Sequence, residues 1–304
     1  MTMTKITDLR TVNKAFSYQH KRRRKEFGAL LIYLCTAIAF AAIALLFVMI
    51  IIFALPALTQ TGEAGPFNWN WQPTQKQFGI LPMVVGSVLL ASLALLLSFP
   101  LAVAIASWIV AIGQGKLLYL ISLTIRFMTT IPTVVYAFAA IFLLTPIIRQ
   151  AMGGTGMSWL TAAIMVSILI LPTMVLVLVA GIQPQLERLY PSGLALGFSK
   201  VELLWYFALP QSKKTLLSAA LLGFGRAIGD TLLPLMLAGN APQVPQGLTE
   251  SMRALTAHMA LVTANEVGGS AYNSLFVAGF LLLLISSIIT FAVKRLTRVK
   301  NSGA

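Results

Sequence analysis

Long apolar runs separated by shorter polar stretches dominate the pattern of this 304-residue chain. A run of about 20 apolar residues is long enough to cross the hydrocarbon core of a bilayer as an α-helix. The first two runs are long enough to tilt or to extend beyond the bilayer. Read as spans, the runs are 27–55, 80–112, 124–148, 158–181, 214–238 and 272–296. The pattern therefore predicts an all-α, polytopic membrane protein with six transmembrane helices.

The composition agrees with this interpretation. Hydrophobic residues make up 58% of the chain and charged residues only 10%, which is outside the usual range of soluble globular proteins. A basic leader of 26 residues followed by an apolar run of nearly 30 is too long for a cleaved signal peptide. We therefore expect the first run to be retained as a helix.

The distribution of the net charge of +14 predicts the topology. If the N-terminus is cytoplasmic, that side holds 18 Lys and Arg residues, and the other side holds Lys76, Arg149 and Arg253. This asymmetry is what the positive-inside rule predicts, and six spans place both termini in the cytoplasm. The basic leader is then a topology signal beside anionic membrane lipid, and nucleic acid is not expected as a partner.

Residue patterns typical of soluble enzymes are absent from the sequence. The two histidines, His20 and His258, are far apart, and no metal-ligand cluster is visible. The segment 113–116 lacks both the first glycine and the final Ser or Thr of a phosphate-binding loop. We therefore expect neither a catalytic centre nor a metal or cofactor.

The fifth predicted span carries two charged residues. Arg226 lies about 12 residues into it, near the membrane midplane, where a charge costs about 2.5–3.5 kcal/mol. Asp230 follows four residues later on the same helical face, and Pro234 cannot donate a hydrogen bond to the carbonyl of Asp230. Two interpretations remain open: a structural ion pair between helices, or a site that handles an anion in a water-filled path.

Prolines also lie inside other predicted spans. Each removes one helical hydrogen bond, so each is a possible hinge, although proline is common in transmembrane helices. The four candidates are Pro100, Pro132, Pro172 and Pro234.

A polar stretch between two spans, 183–213, resembles the cytoplasmic coupling loop of ABC-importer permeases. That loop has the motif E-A-A, three residues, G, nine residues, I-x-L-P. Gly197 and Leu209-Pro210 keep this spacing, and Pro191 stands where Glu is usual. Pro191 is suited to the first turn of a coupling helix, and Glu187 or Glu202 are candidates for the missing acidic contact.

A second segment resembles a more specific family. Arg226-Ala-Ile-Gly-Asp-Thr231 is similar to the R-A-x-G-E-T signature of phosphate-specific ABC permeases of the PstC class, and 71–73, 78–82 and 131–136 are similar to further segments of that class. The resemblance implies the type I ABC importer fold and places Arg226, Asp230 and Thr231 in or beside the path of the substrate.

The resemblance also implies a domain organisation. It consists of a basic cytoplasmic leader (1–26), a first transmembrane helix (27–55), a permease core of five transmembrane helices (79–296) and a cytoplasmic tail (297–304). The implied partners are a second permease of the PstA class, a cytoplasmic ABC ATPase dimer, an external phosphate-binding protein and phosphate. The implied location is the bacterial inner membrane.

The function expected from this resemblance is ATP-driven import of phosphate by alternating access, with ATP hydrolysis on a separate chain. Two alternatives remain open. The first is a permease for another oxyanion, such as sulfate or molybdate, because one arginine does not distinguish tetrahedral anions. The second is a membrane scaffold or sensor that binds an ABC ATPase without transporting.

Overall fold

The computed structural model describes residues 4–59, 65–265 and 269–297, and nearly all of its regular structure is helical. The helices are α1 Thr4–Leu58, α2 Leu81–Ala111, α3 Gly115–Thr130, α4 Thr133–Met152, α5 Trp159–Ala195, α6 200–211, α7 Lys213–Gly229, α8 Leu232–Leu237, α9 Leu255–Asn265 and α10 Gly269–Thr297. A two-stranded hairpin is formed by β1 Trp71–Gln72 and β2 Gln77–Phe78. The all-α prediction is confirmed.

Within the described residues, five helices are long and apolar enough to cross a membrane. They are Gly28–Pro56, Leu81–Ala111, Thr133–Met152, Trp159–Ala195 and Ala271–Arg295. The predicted span over 214–238 is divided into α7 and α8, which are 17 and six residues long. Each piece is shorter than a bilayer-spanning helix, so this segment differs from the predicted continuous helix.

Contacts along the chain separate two compact units, 1–52 and 53–304. The first unit is helical from Thr4, so the predicted leader and the first span belong to one helix, α1. The second unit contains the end of α1 and every later element. Most of the predicted tail, 298–304, lies outside the described residues.

Helices α2, α5 and α7 form the centre of the second unit. Their contact faces are rich in small residues, which let helices approach closely in a membrane. Ala219, Gly223 and Ala227 are buried on one face of α7, as their spacing predicts. A side chain at Gly223 would meet the sulfur of Met174 on α5. Dispersion forces across this close contact hold the helices together.

The third predicted span begins later than expected. A helix break at Ile131-Pro132 separates α3 from α4, and the candidate span starts at Thr133 instead of residue 124. The backbone of Ile131 is extended, as the residue before a proline prefers. Pro100 and Pro172, in contrast, lie inside the continuous helices α2 and α5. Both helices continue although each proline inside them removes one helical hydrogen bond, and α5 contains three such prolines.

The connection between α1 and α2 contains the β1–β2 hairpin. Trp71 pairs with Phe78, and Lys76 in the turn has a left-handed backbone with φ of 56°. The ring of Trp71 also packs edge-on against His258 of α9, with ring centroids 4.3 Å apart. The hairpin is therefore held against α9 by an aromatic contact that the sequence pattern does not reveal.

Candidate functional site

The break between α7 and α8 places Asp230 and Thr231 outside both helices. Asp230 has φ of −73° and ψ of 133°, which is an extended backbone. Pro234 explains the position of the break, because its nitrogen carries no hydrogen to pair with the carbonyl of Asp230. Asp230 and Arg226 therefore do not share a continuous helical face, which corrects the prediction made from their spacing.

The polar groups of Asp230 are bound locally. Its Oδ2 accepts a hydrogen bond of 3.0 Å from the backbone nitrogen of Leu233, which satisfies a free donor in the first turn of α8. Its carbonyl oxygen accepts a hydrogen bond of 2.7 Å from the hydroxyl of Thr256 on α9. The expectation of an unpaired carbonyl at this position is therefore wrong, since a hydroxyl distant in sequence takes the place of the missing helical donor.

Arg226 is half-buried in the last turn of α7. Its guanidinium donates a hydrogen bond to the hydroxyl of Thr173 on α5. No direct ion pair joins Arg226 to Asp230 in the part of the chain that the structure describes, although Asp230 lies within reach of the arginine charge. A guanidinium has five N–H donors, so several remain without a protein acceptor.

Tyr136 is a further member of this group that sequence reasoning did not single out. It lies on α4 one turn after the Pro132 break, and it too is within reach of the charge of Arg226. Its hydroxyl donates a hydrogen bond of 2.9 Å to the carbonyl of Met128 on α3. The sequence signal that could have identified Tyr136 is its place at the end of segment 131–136.

Thr231 follows Asp230 directly in the chain and is half-buried. Its carbonyl accepts a hydrogen bond from the backbone nitrogen of Leu235.

The coupling segment has a different geometry from the predicted one. Pro191 lies inside α5, which runs without a break to Ala195, so Pro191 does not begin a separate helix. The helix ends in a tight turn in which Phe198 donates to the carbonyl of Gly193 and Gly197 donates to that of Leu194, both at 3.0 Å. This is a Schellman motif, which requires a left-handed residue, and Gly197 has φ of 82°.

Glu202 has a structural role in the next helix. The side chain of Ser199 accepts from the backbone nitrogen of Glu202 at 3.3 Å, and Oε2 of Glu202 accepts from the backbone nitrogen of Ser199 at 2.8 Å. This reciprocal capping box starts α6. Hydrogen bonds from Ser199 hold the pKa of the Glu202 carboxyl below its usual value. Glu202 is therefore engaged at the helix start, and its Oε2 is not a free acidic contact.

Two departures from the usual coupling motif have structural explanations. Gly193 lies directly against the side chain of Leu203, which leaves no room for the Cβ that alanine would add. Phe207, in place of isoleucine, packs edge-on against Phe198 with ring centroids 5.4 Å apart. The two contacts join the end of α5 to α6, so the turn and the following helix form one packed unit.

The end of the motif lies within α6. Leu209 is half-buried, and its nitrogen donates to the carbonyl of Leu204 across a π-helical segment, Leu203–Ala208. Pro210, which has no N–H to donate, is the next residue.

Two leucines of the turn that precedes α6 are largely exposed, Leu194 by 58% and Leu196 by 76%. The turn 193–199 therefore presents apolar side chains outward from a rigid base.

No group of three or more potential metal ligands occurs among the described residues. The arrangement at the α7–α8 break instead offers a guanidinium, two hydroxyl-bearing side chains and a carboxylate fixed by backbone groups. Such a set can bind an oxyanion through the free N–H donors of the guanidinium.

Comparisons with known proteins identify similar sequences. The sequence model of the family "Binding-protein-dependent transport system inner membrane component" matches residues 98–299. The chain is 27% identical over 288 residues to the probable ABC transporter permease protein YqgH of Bacillus subtilis, covering 92% of this chain and 93% of that protein. It is also 27% identical over 294 residues to the phosphate transport system permease protein PstC of Xylella fastidiosa, covering 88% and 87% of the two chains.

Solved structures share the fold. A chain of the inward-facing MetNI methionine ABC transporter superposes with a TM-score of 0.56 at 14% identity, covering 75% of this chain and all of the other. A chain of a bacterial ABC transporter involved in import of the acidic polysaccharide alginate gives a TM-score of 0.55 at 16% identity, covering 84% and 96%. At these identities the likeness concerns the fold alone.

Proposed function

We propose a specific transport function on the premise that this chain belongs to the family of binding-protein-dependent transport system inner membrane components. Members of this family are permease subunits of ABC importers, and this chain is a multi-pass inner-membrane component of that kind.

The proposed substrate is inorganic phosphate. The observation that carries this proposal is the guanidinium of Arg226, which is half-buried and has a hydroxyl, Thr173, as its hydrogen-bond partner instead of a carboxylate. A half-buried cation at membrane depth without an ion-pair partner requires an anion or water nearby. The planar fork of arginine matches two oxygens of a tetrahedral oxyanion. Relatives named as phosphate permeases support the choice of phosphate.

Asp230, in the break between α7 and α8, also contributes to the proposed phosphate site. Because its carboxylate is held by Leu233, it stays near Arg226 without closing onto it. It offsets part of the positive charge, which keeps the affinity moderate, as release of the transported ion demands. Thr231 is the proposed third member of the path, and Tyr136 joins it as a hydroxyl beside the same cation.

The proposed energy source is a cytoplasmic ABC ATPase dimer that binds the turn 193–199. The exposed Leu194 and Leu196 form the contact with the ATPase. The packed contact between α5 and α6 transmits the movement of the ATPase to the membrane helices. A second permease of the PstA class and an external phosphate-binding protein complete the proposed complex. Both termini are then cytoplasmic, in agreement with the charge asymmetry.

The direct test is ATP-dependent uptake of labelled phosphate into proteoliposomes that contain the full complex. Arg226→Ala is expected to lower the rate by at least tenfold, while Arg149→Ala, which changes an exposed arginine at the end of α4, leaves it within twofold. Sulfate and molybdate are added as competitors. Normal uptake by Arg226→Ala would refute the proposed role, and inhibition by sulfate alone would assign a different oxyanion.

A further inference from the structure

A cavity of about 510 Å³ lies between the last part of α2, α3 and the second half of α5, beside the start of α6. Its volume is in the range of small-ligand sites in proteins. The apolar residues of its lining form what we call the apolar wall, and the polar residues form the polar wall. The polar wall consists of Ser122, Arg126, Gln183, Glu187, Tyr190 and Lys200. These residues belong neither to the group around Arg226 nor to the exposed leucines of the coupling turn.

The cationic side chains of this cavity lack acidic partners. Arg126 is exposed on α3, and its guanidinium makes no hydrogen bond or ion pair within the described ranges. The ammonium of Lys200 lies 5.5 Å from the centre of the Tyr190 ring, a cation–π contact that leaves its N–H donors available. The carboxylate of Glu187 accepts a hydrogen bond of 2.8 Å from the amide of Gln183. The polar wall therefore has a surplus of positive charge and free donors.

We propose that this cavity binds a phosphate group, either in the headgroup of an anionic phospholipid or as the free ion. Arg126 and Lys200 supply the charge-assisted hydrogen bonds, with Ser122 and Tyr190 as further donors. The apolar wall suits the glycerol and acyl portion of a lipid. Basic cavities of this kind at the cytoplasmic side of membrane helices are suited to phosphate-bearing lipid headgroups.

The two cationic side chains of the cavity come from different helices, so a ligand that binds both would connect those helices. Arg126 belongs to α3, and Lys200 is the first residue of α6 after the coupling turn. A phosphate bound by both side chains joins α3 to α6 and restrains the turn 193–199. Occupancy of the cavity therefore regulates how freely the turn moves, whichever anion the protein transports.

The test measures binding to the purified full-length chain in detergent by native mass spectrometry. The probes are dioleoylphosphatidylglycerol, the phosphate-free lipid dioleoylglycerol, and inorganic phosphate. Binding of inorganic phosphate is measured in the Arg226→Ala variant, so that the proposed substrate path does not contribute to it. The variants are Arg126→Gln, Lys200→Gln and the double variant. Arg188→Gln is the matched control, because Arg188 is an exposed arginine of α5 that donates to Gln185 and does not line the cavity.

Binding of the phosphate-bearing lipid is expected to weaken about tenfold with each single substitution and further in the double variant, while Arg188→Gln changes it less than twofold. Binding of this lipid without competition from inorganic phosphate assigns the site to lipid, and binding of inorganic phosphate alone assigns it to the free ion. Equal binding of dioleoylglycerol, or an equal loss in Arg188→Gln, would overturn the proposal. So would unchanged binding in a double variant whose melting temperature matches that of the parent protein.

Discussion

Arg226 donates its hydrogen bond to the hydroxyl of Thr173, across the contact between α7 and α5, and makes no direct ion pair with the nearby Asp230. The carboxylate of Asp230 caps α8 instead. The two charges are thus near one another and held apart by separate partners. A cation fixed in this way presents free donors, which is the basis of the proposed oxyanion site.

The first prediction concerns Thr173. Thr173→Val keeps the shape of the side chain but removes the acceptor of the arginine hydrogen bond, so the guanidinium loses its fixed direction. We expect the KM for phosphate in proteoliposomes to rise about tenfold, which corresponds to about 1.4 kcal/mol. Thr173→Ser keeps the hydroxyl and is expected to restore most of the affinity. Equal effects of valine and serine would argue that packing, and not the hydrogen bond, matters here.

The second prediction concerns the helix break. Thr256→Val leaves the carbonyl of Asp230 without its donor, because Pro234 cannot replace it. The expected loss of stability is about 1–3 kcal/mol, the usual effect of an unsatisfied buried acceptor. The melting temperature of the purified chain measures it, with Thr256→Ser as the control. A valine variant as stable as the parent would show that another group satisfies this carbonyl.

The third prediction concerns the joint between α5 and α6. Gly193→Ala places a Cβ against the side chain of Leu203, so either this side chain or α6 must shift relative to the turn. We expect transport-coupled ATPase activity of the assembled complex to fall several-fold while assembly persists. Leu203→Ala in the same chain removes the clash and is expected to recover part of the activity. If the double variant is no better than Gly193→Ala, the contact with Leu203 does not explain the glycine.

The fourth prediction concerns Gly197, whose φ of 82° is left-handed. Gly197→Ala is expected to destabilise the turn by about 1 kcal/mol, because a Cβ crowds the following carbonyl in this conformation. Gly197→Asn tolerates left-handed backbone better and is expected to have a smaller effect. Binding of the partner ATPase to the complex, measured by co-purification, reports the change. Similar behaviour of the two variants would contradict the conformational explanation.

The fifth prediction concerns the pH dependence of stability. His258 is fully buried on α9, which is not one of the candidate spans, and burial together with the charge of Arg253 lowers the pKa of its imidazole to about 3. In the unfolded chain its pKa is about 6.5. Between these values the unfolded state binds the proton and the folded state does not, so stability is complete above about pH 6.5 and decreases as pH falls towards 3.

On this basis, lowering the pH from 7 to 5 is expected to reduce the free energy of unfolding by about 2 kcal/mol. Melting temperatures at the two pH values measure the difference. His258→Gln is expected to lose most of this pH dependence. A pH effect that survives in His258→Gln would have to come from another group.

The pattern of apolar runs was sufficient to predict the fold class and most helices, because a bilayer imposes a length and a composition on each span. It misplaced the start of the third span and joined α7 to α8. Both errors lie at a proline, where sequence indicates a lost hydrogen bond but not whether the helix continues. Pro132 marks a break and Pro172 does not, since packing around the residue decides the outcome.

The candidate site was predicted in part. Arg226 and Asp230 are recognisable as charges in an apolar run, and the structure places them near each other. Thr173 and Tyr136 were missed, because hydroxyl residues in transmembrane helices are too common to attract notice. The capping role of Glu202 was not anticipated, although Ser199 three residues earlier is the sequence signal of a capping box.

The sequence by itself determined that this chain is a helical membrane protein with charges inside one span and a glycine-centred polar loop, because hydrophobicity, charge and glycine act locally. The tertiary structure decided which partners those groups have. Thr173 comes to Arg226 from 53 positions away, and Thr256 comes to Asp230 from 26. Such pairings depend on how α5, α7 and α9 pack, and packing is a property of the whole bundle that no single stretch of sequence encodes.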